Sequence, residues 1–544
     1  MEISNLLMPA ANRFASEYLQ QTDQIKPFFH YTYNEPSSYW NRVEELRSRE
    51  FPREGLANHI ESYMARFTES EETSHSIVKL KHPDSVVVIG GQQAGIFTGP
   101  LYTIHKVISI IQLARQKEAE LGIPVVPIFW IAGEDHDYQE VNHLYVPEGT
   151  IANKWIFPQK VHEKIMVTDI EINKEHCKNW AGQLVSHFGE TAHSRELLYL
   201  IESTLEKSET FTDFFAGILM ELFKGTELLI VDSGHPGLRQ IESGYFDAII
   251  RNHAAVADSL SFQQKAIIQE GFPTLIEATD QSANLFYYDI NTNERVLLEY
   301  NSETALFVGK NAAFSFSMDE LLEIARVEPQ LLSNNVVTRP LMQEWLFPVL
   351  AFIGGPGEIA YWAELKLIFE HFDIKMPPIV PRLNITILER SIETDLQELQ
   401  MDVSEVIRRG TDNEKQAFMD SIRDRELESV FTSAKDQVLE QYDKFHEKTA
   451  QIAPSLLTML KKNEEIVIGQ LTFMQKKLED AVQQRHQVTL DKYSRISMAL
   501  RPEGLPQERV WNVLYYLNKY GLDFVNRLAE LEYEFDGTHK LVRI

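Results

Sequence analysis

The sequence predicts an α/β fold, an open parallel sheet flanked by helices, followed by a separate helical hairpin. Three observations carry this. Apolar strand-like runs recur, each ending at once in a cluster of polar, chemistry-bearing residues; an amphipathic helix joins the first two; and past residue 384 the composition turns to long glutamate- and lysine-rich helix. Ligands of open parallel sheets sit at the carboxyl ends of the strands, so the clusters are placed to face one pocket.

Residues 1 to about 80 read as a helical lead-in with aromatic-rich turns such as Pro27-Phe28-Phe29-His30-Tyr31. The first strand, Val86 to Ile89, opens into a loop from Gly90 to Pro100 that carries Gln92, Gln93 and Thr98. Pro100 suits the first position of the next helix, with Thr98 and Gly99 as capping candidates. Leu101, Ile104, Ile108 and Ile111 fall at helical spacing and face the sheet, whereas Tyr102, His105, Lys106 and Ser109 share another face. The second strand, Val125 to Ile131, ends in Ala132-Gly133-Glu134-Asp135-His136-Asp137, and a third, Glu227 to Val231, ends in Asp232-Ser233-Gly234-His235-Pro236. Residues 150–226 and 260–332 have weaker strand signals and read as insertions into or around the sheet.

Asn335, Thr338, Arg339 and Glu344 precede a fourth run, Val349 to Ile353. It leads into Gly354-Gly355-Pro356-Gly357-Glu358 and a helix with Tyr361 and Trp362 near its start; Ile379 to Arg382 reads as a last strand. Beyond it, Val438, Tyr442, Phe445, Thr449, Ile452, Leu456 and Met459 alternate by four and three, the seam of a coiled coil. Pro454 interrupts that seam. An interior proline breaks a helix but is accepted in its first turn, so a turn near Gln451 to Pro454 and two antiparallel helices are expected, the second carrying Leu471, Met474, Leu478 and Ala481. Arg501 to Pro506 ends the hairpin, and an aromatic-rich C-terminal helix follows. The expected division is a catalytic core at 1–384, a coiled-coil domain at 385–500 and a segment at 501–544 packing back on the core.

A formal charge of −28, from 52 basic and 80 acidic residues, argues against a nucleic acid as the main partner. Net charge does not set the field inside a cleft, so a local basic pocket for phosphate or carboxylate remains open. The single cysteine, Cys177, forms neither an intramolecular disulfide nor a multi-cysteine metal site, and its polar surroundings mark it as an incidental thiol. No apolar run reaches the ~18 residues of a membrane span, and no signal segment is visible, so a cytoplasmic protein with no membrane contact is expected.

The glycine-containing loop before a helix suits an anion, with Gln92, Gln93 and Thr98 beside it, although the lysine signature of nucleotide-triphosphate loops is missing. His105 and Lys106, one turn into that helix, are placed to move a proton and to offset developing negative charge. Glu134, Asp135, His136 and Asp137 shift one another's proton affinities, which suits general acid or base work. Sequence neighbours rarely complete a coordination sphere, so no protein-held metal is expected. Arg339 suits a bidentate clamp on a carboxylate or phosphate, with Asp232 and Glu344 as further substrate contacts. Tyr361 and Trp362 are either core or a stacking platform for a ring. Three readings stay open on these residues: a nucleotide-fold enzyme, a coiled-coil scaffold or regulator that senses a ligand through a nucleotide fold, and a metal-dependent hydrolase.

The segments GGQQAGIFTGPLYTIHK, FWIAGEDHD, VTRPLMQEWLFP, GGPGEIAYWAELK, MPPIVPR and LRPEGLPQER together resemble the bacillithiol biosynthesis cysteine-adding enzymes, the cysteine ligases of low-GC Gram-positive bacteria. The resemblance spans nearly the whole chain. It implies addition of cysteine to glucosaminyl-malate, a Rossmann-type core with connecting-peptide insertions similar to class I aminoacyl-tRNA synthetases, and a homodimer formed through the coiled coil. It also implies an adenine nucleotide, ADP or ATP, with Asn335, Gly354, Gly355, Gly357, Glu358, Arg382, Gln507 and Arg509 as the residues expected to hold it. The synthetase signatures themselves are incomplete: Thr103 and His105 stand where paired histidines are usual, and Lys375-Met376-Pro377-Pro378 keeps one lysine of two.

Overall fold

Strands β1 (Val86–Gln92), β2 (Val125–Ile131), β3 (Leu229–Asp232), β4 (Val349–Gly354) and β5 (Ile379–Pro381) form a parallel sheet in the computed structural model, which describes residues 1–67, 70–161, 164–277, 279–310 and 314–544. Their spatial order is β5-β4-β1-β2-β3, with every neighbouring pair parallel. The chain thus builds outward from β1 to one edge and returns to build the other side. The order reverses between β1 and β4, and there the carboxyl ends of the strands splay around a crevice. All seven residues of β2 are buried, as expected of a strand covered by helices on both faces.

Four helices frame the crevice: α1 (Tyr102–Leu121), α2 (Pro236–Arg251), α3 (Thr338–Leu346) and α4 (Pro356–Trp362). Helix α1 begins two residues later than the sequence suggests, and neither Thr98 nor Gly99 caps it. Pro100 instead pairs with Asn512 in an isolated bridge, while Phe97 (φ 50°), Thr98 (φ 75°) and Gly99 (φ 68°) are all left-handed. A side chain on Gly95 would put its Cβ 2.6 Å from the Gly99 Cα, so the loop closes on itself and only glycine fits. The Leu101 N–H donates to the Trp511 carbonyl (2.8 Å) and that of Thr103 to Pro100 (3.0 Å). Two of the amides that an anion would need at this helix start are therefore already used.

The insertions form structure of their own. His143–Glu148 and Ile151–Ile156 make a hairpin, and Ser282–Asp289, Glu294–Asn301, Leu306–Gly309, Ser315–Phe316 and Leu332–Asn334 make an antiparallel sheet. The termini depart from the all-helical expectation: Glu2–Leu6 and His539–Arg543 are strands that pair antiparallel in a three-stranded sheet with Ile385–Leu388. Such short strands owe their form to partners hundreds of residues away, which periodicity within a window does not register.

The chain divides into two compact units, residues 1–387 with 507–544, and residues 388–506. The second contains α5 (Arg425–Ile452) and α6 (Leu457–Arg485), joined by a turn in which Pro454 opens a 3-10 segment. The Tyr442 hydroxyl donates to Asn463 (2.6 Å) and Lys435 to Gln475 (2.7 Å), which fixes the antiparallel register. Tyr442 is the one buried residue of α5, and α6 has none. Among the described residues, no helix is long and apolar enough to cross a membrane.

Candidate active site

A cavity of about 330 Å³ occupies the crevice at the switch point. Gly91 and Gln92 reach it from the end of β1, Ala132 and Asp135 from beyond β2, and Gly355, Gly357 and Glu358 from the turn after β4. Arg382 enters from beyond β5, and Arg509 comes from the segment that returns after the hairpin. The sheet thus gathers Gly91 and Arg382, 291 positions apart, because parallel strands bring all their carboxyl ends to one edge, and the returning segment adds Arg509.

Lys106 is held in place by two acceptors, the Gly91 carbonyl (2.7 Å) and the Glu358 carboxylate. Burial lowers its proton affinity, and the Glu358 charge opposes that effect. Glu358 also accepts from the Gly355 amide (2.7 Å), closing the first turn of α4. Arg382 is fixed by both oxygens of Glu508 (2.5 and 3.0 Å), a carboxylate that also accepts from His105 Nδ1 (3.1 Å). Burial alone would raise the Glu508 carboxyl, but Arg382 and His105 overcome it and hold the group well below the ordinary carboxylate range.

The acidic run after β2 does not act as one cluster. Glu134 is fully buried and bound to Arg239 of α2 and Arg339 of α3 (2.7 Å to Arg339 Nε), and it accepts from the Asn334 amide (3.1 Å). Burial would raise it, yet Arg239, Arg339 and Arg295 hold it at about 2, so it serves as a fixed counter-charge and not as a base. Asp135 reaches the cavity and pairs with Arg339. His136 turns to Arg295 (3.3 Å), and Asp137 starts the short helix Tyr138–Val141 with its side chain in solvent; neither lines the cavity. Consecutive residues in an irregular segment point in different directions, which separates four groups that look joined in sequence.

Gln92, Gln93, Tyr102 and Tyr361 lie on the cavity wall. Other expected residues do not. His105 is fully buried behind the wall, held by Glu508. Thr98 is enclosed in the left-handed loop. Asp232 accepts from the Thr168 hydroxyl and the Gly234 amide (2.9 Å), and burial pushes it up to about 6. Glu344 is bound by Arg42 and Arg49, and Trp362 packs in the core against Phe352, with ring centres 4.5 Å apart. Asn335 caps the turn before α3 through the amides of Val337 (2.9 Å) and Thr338 (3.1 Å). Gly354 packs its backbone against Ile379, and Gln507 exchanges two 2.8 Å hydrogen bonds with the Ile387 backbone. Burial pushes the Cys177 thiol up to about 12, so it is unreactive.

Sequence reading missed Arg239, Arg295 and Glu508. Arg239 lies three residues beyond the cluster that follows β3 and Glu508 stands between two residues already singled out, so both were within reach. Arg295, in an insertion strand, has no local signal. Among the described residues no group of three or more His, Cys, Asp or Glu side chains is placed to hold a metal ion.

A parallel sheet of this order, with a cavity at its reversal walled by lysine and arginine, defines a Rossmann-like protein. Residues 1–383 match the family described as bacillithiol biosynthesis BshC, N-terminal Rossmann-like domain, and residues 385–544 match the BshC C-terminal coiled-coil domain. Proteins named "Putative cysteine ligase BshC" from Geobacillus sp. (strain WCH70) and Anoxybacillus flavithermus (strain DSM 21510 / WK1) are 43% and 44% identical to the chain, over 544 and 542 residues, with all of each chain covered. One from Bacillus cereus (strain AH187) is 40% identical over 544 residues. The chain belongs to the BshC family of bacillithiol biosynthesis.

Proposed function

We propose that this chain is the ligase that joins the carboxyl group of cysteine to the sugar amine of glucosaminyl-malate, forming an amide in the last step of bacillithiol biosynthesis. The observation that carries the reading is the cavity at the switch point, where Lys106, Arg339, Arg382 and Arg509 line an open crevice in a chain of this family. Malate brings carboxylates, which Arg339 binds; its guanidinium is already locked by Asp135 and so loses little freedom on binding. Asp135 faces the amine, orients it and takes its proton as the carbon–nitrogen bond forms. Lys106, fixed between Gly91 and Glu358, stabilises the negative charge that develops on the carboxyl oxygen.

A carboxylate does not react with an amine until activated, and an adenine nucleotide, ATP or ADP, supplies that chemistry when bound. The residues present fit its phosphates: the cavity carries cations, and a Cβ at Gly357 would meet nothing within 4 Å, leaving the backbone open to close approach. Gly355, Gly357, Glu358, Arg382 and Arg509 are the members of the expected nucleotide set that reach this wall. The likeness of the core to class I aminoacyl-tRNA synthetases is part of the same proposal, supported by insertions placed between β2 and β3 and between β3 and β4. So is a homodimer through the hairpin, supported by its exposed apolar residues.

Purified full-length protein incubated with glucosaminyl-malate, cysteine and ATP is expected to release a product with the mass of bacillithiol. Lys106→Met, which keeps the volume and removes the charge, should lower kcat by about 100-fold with an unchanged circular dichroism spectrum. Wild-type turnover by folded Lys106→Met and Asp135→Asn proteins would remove the proposed roles.

A further inference from the structure

Beside the main cavity lies a second one of about 50 Å³, which shares Gln93, Tyr102 and Arg509 with it. Gly95, Gly99, Pro100 and Thr103 form one side, and Val141 and Leu144 form the other. The glycine-containing loop that the sequence marked for an anion is therefore the wall of this small compartment. Its shape is held against the backbone's own preference: Phe97 and Thr98 have the left-handed backbone that side-chain-bearing residues disfavour. Asn512 restrains it by donating to the Phe97 carbonyl (2.9 Å) and the Gly99 carbonyl (2.6 Å).

The size of the compartment is selective. At about 50 Å³ against about 330 Å³ for the main cavity, the space admits a small side chain such as CH2–SH and has no room for a long or aromatic one. The groups around its mouth match the rest of an amino acid. Arg509 stands at the junction of the two cavities and, unlike Lys106, Arg339 and Arg382, has no ion pair with a described acidic residue. Glu140 accepts one hydrogen bond, from Gln93 (3.0 Å), and keeps its other oxygen available for an ammonium. His143 donates from Nδ1 to the Gln139 carbonyl (3.2 Å), which leaves Nε2 as an acceptor for a thiol proton.

We propose that this compartment is the side-chain pocket for a small α-amino acid, with the amino acid's carboxylate on Arg509 at the boundary with the main cavity and its ammonium on Glu140. This rests on the ligase reading and deepens it: the selection of cysteine is made by volume in a pocket formed by the left-handed loop, and the carboxyl carbon is presented to the main cavity, where the amine arrives.

The test enlarges the ligand before it alters the protein. L-Cysteine and S-methyl-L-cysteine are titrated into the full-length protein by calorimetry, with and without glucosaminyl-malate, and product formation is followed in parallel. S-Methyl-L-cysteine should bind ~10-fold or more weakly than L-cysteine, the usual discrimination for one carbon in a filled pocket. Leu144→Ala should narrow that gap, and Arg509→Ala should weaken L-cysteine binding by about 10- to 100-fold, the loss of one charge-assisted contact. Equal binding of the two ligands by the wild type, wild-type affinity in Arg509→Ala, or no L-cysteine binding in either condition overturns the inference. If product forms while the two ligands bind equally, the pocket fails and the ligase reading stands. If the ligands are discriminated as expected but no product forms with ATP, the pocket stands and the ligase reading fails.

Discussion

Glu134 and Glu508 show how single residues set this site without touching its ligand space. Each is a buried carboxylate bound to two nitrogen-bearing side chains, and each fixes a guanidinium that reaches the cavity, Arg339 for one and Arg382 for the other. Removing one partner of a buried ion pair leaves the other charged and unpaired, which costs about 3–5 kcal/mol. Glu134→Ala is therefore expected to lower stability by roughly that amount, read from the urea midpoint at constant slope. Glu508→Gln keeps the volume but removes the counter-charge of buried Arg382; KM for ATP should rise by about 10-fold, and the melting temperature should fall because a buried guanidinium is left unpaired. Sequence reading identified the acid run at 134–137 as notable. It had no means of telling that Glu134 turns inward to arginines and Asp135 outward, because that depends on side-chain direction in a segment without a repeating dihedral.

At the scale of elements, the hairpin formed by α5 and α6 is the clearest case of a pattern read in advance. The alternation by four and three and the proline between the helices follow from local rules, and the turn falls where Pro454 can open a new helix. What the pattern did not reveal is how little the hairpin buries within itself. Phe445 is 51% exposed, Met459 64%, Ile466 53% and Phe473 53%. Apolar patches of this kind usually mark an association surface. The proposed homodimer therefore carries a direct expectation: Ile466→Glu with Phe473→Glu should convert a dimeric mass to a monomeric one in analytical ultracentrifugation at micromolar concentration. A wild-type monomer at that concentration removes the dimer. The loop before α1 is the opposite case, where glycine and proline spelled a simple capped turn and three left-handed residues formed instead. Asn512, more than 400 residues further on, decides that geometry, and no local rule contains it.

At the scale of the whole molecule, buried acids give the stability a pH dependence with two limbs. Glu134 sits at about 2, below its ordinary value, so its contribution is complete above about pH 4.5 and is lost as the pH falls toward 2. The depression corresponds to roughly 3 kcal/mol. Asp232 is pushed up to about 6, so the folded state favours its proton, and stability declines as the pH rises from about 4 through 6. Urea unfolding at a series of pH values should show both limbs, and Asp232→Asn should reduce the second one, leaving the part contributed by Glu242, which burial pushes up to about 7. An unchanged slope between pH 4 and 7 in that variant would show that Asp232 does not cause it.

By itself, the sequence determined the alternation of strands and helices, the polar clusters at strand ends, the hairpin and its turn, and a resemblance precise enough to name a reaction. These follow from periodicity, turn chemistry and residue order, all of which are local or are read along the chain. Tertiary structure alone decided which cluster members share a space. It drew Lys106, Asp135, Arg339, Arg382 and Arg509 onto one cavity, withdrew His105, Asp232, Glu344 and Trp362 from it, and brought the last strand back to pair with the first. The physical reason is that a buried charge goes where its counter-charge and its hydrogen bonds are, and those partners come from strands and helices far apart in the chain.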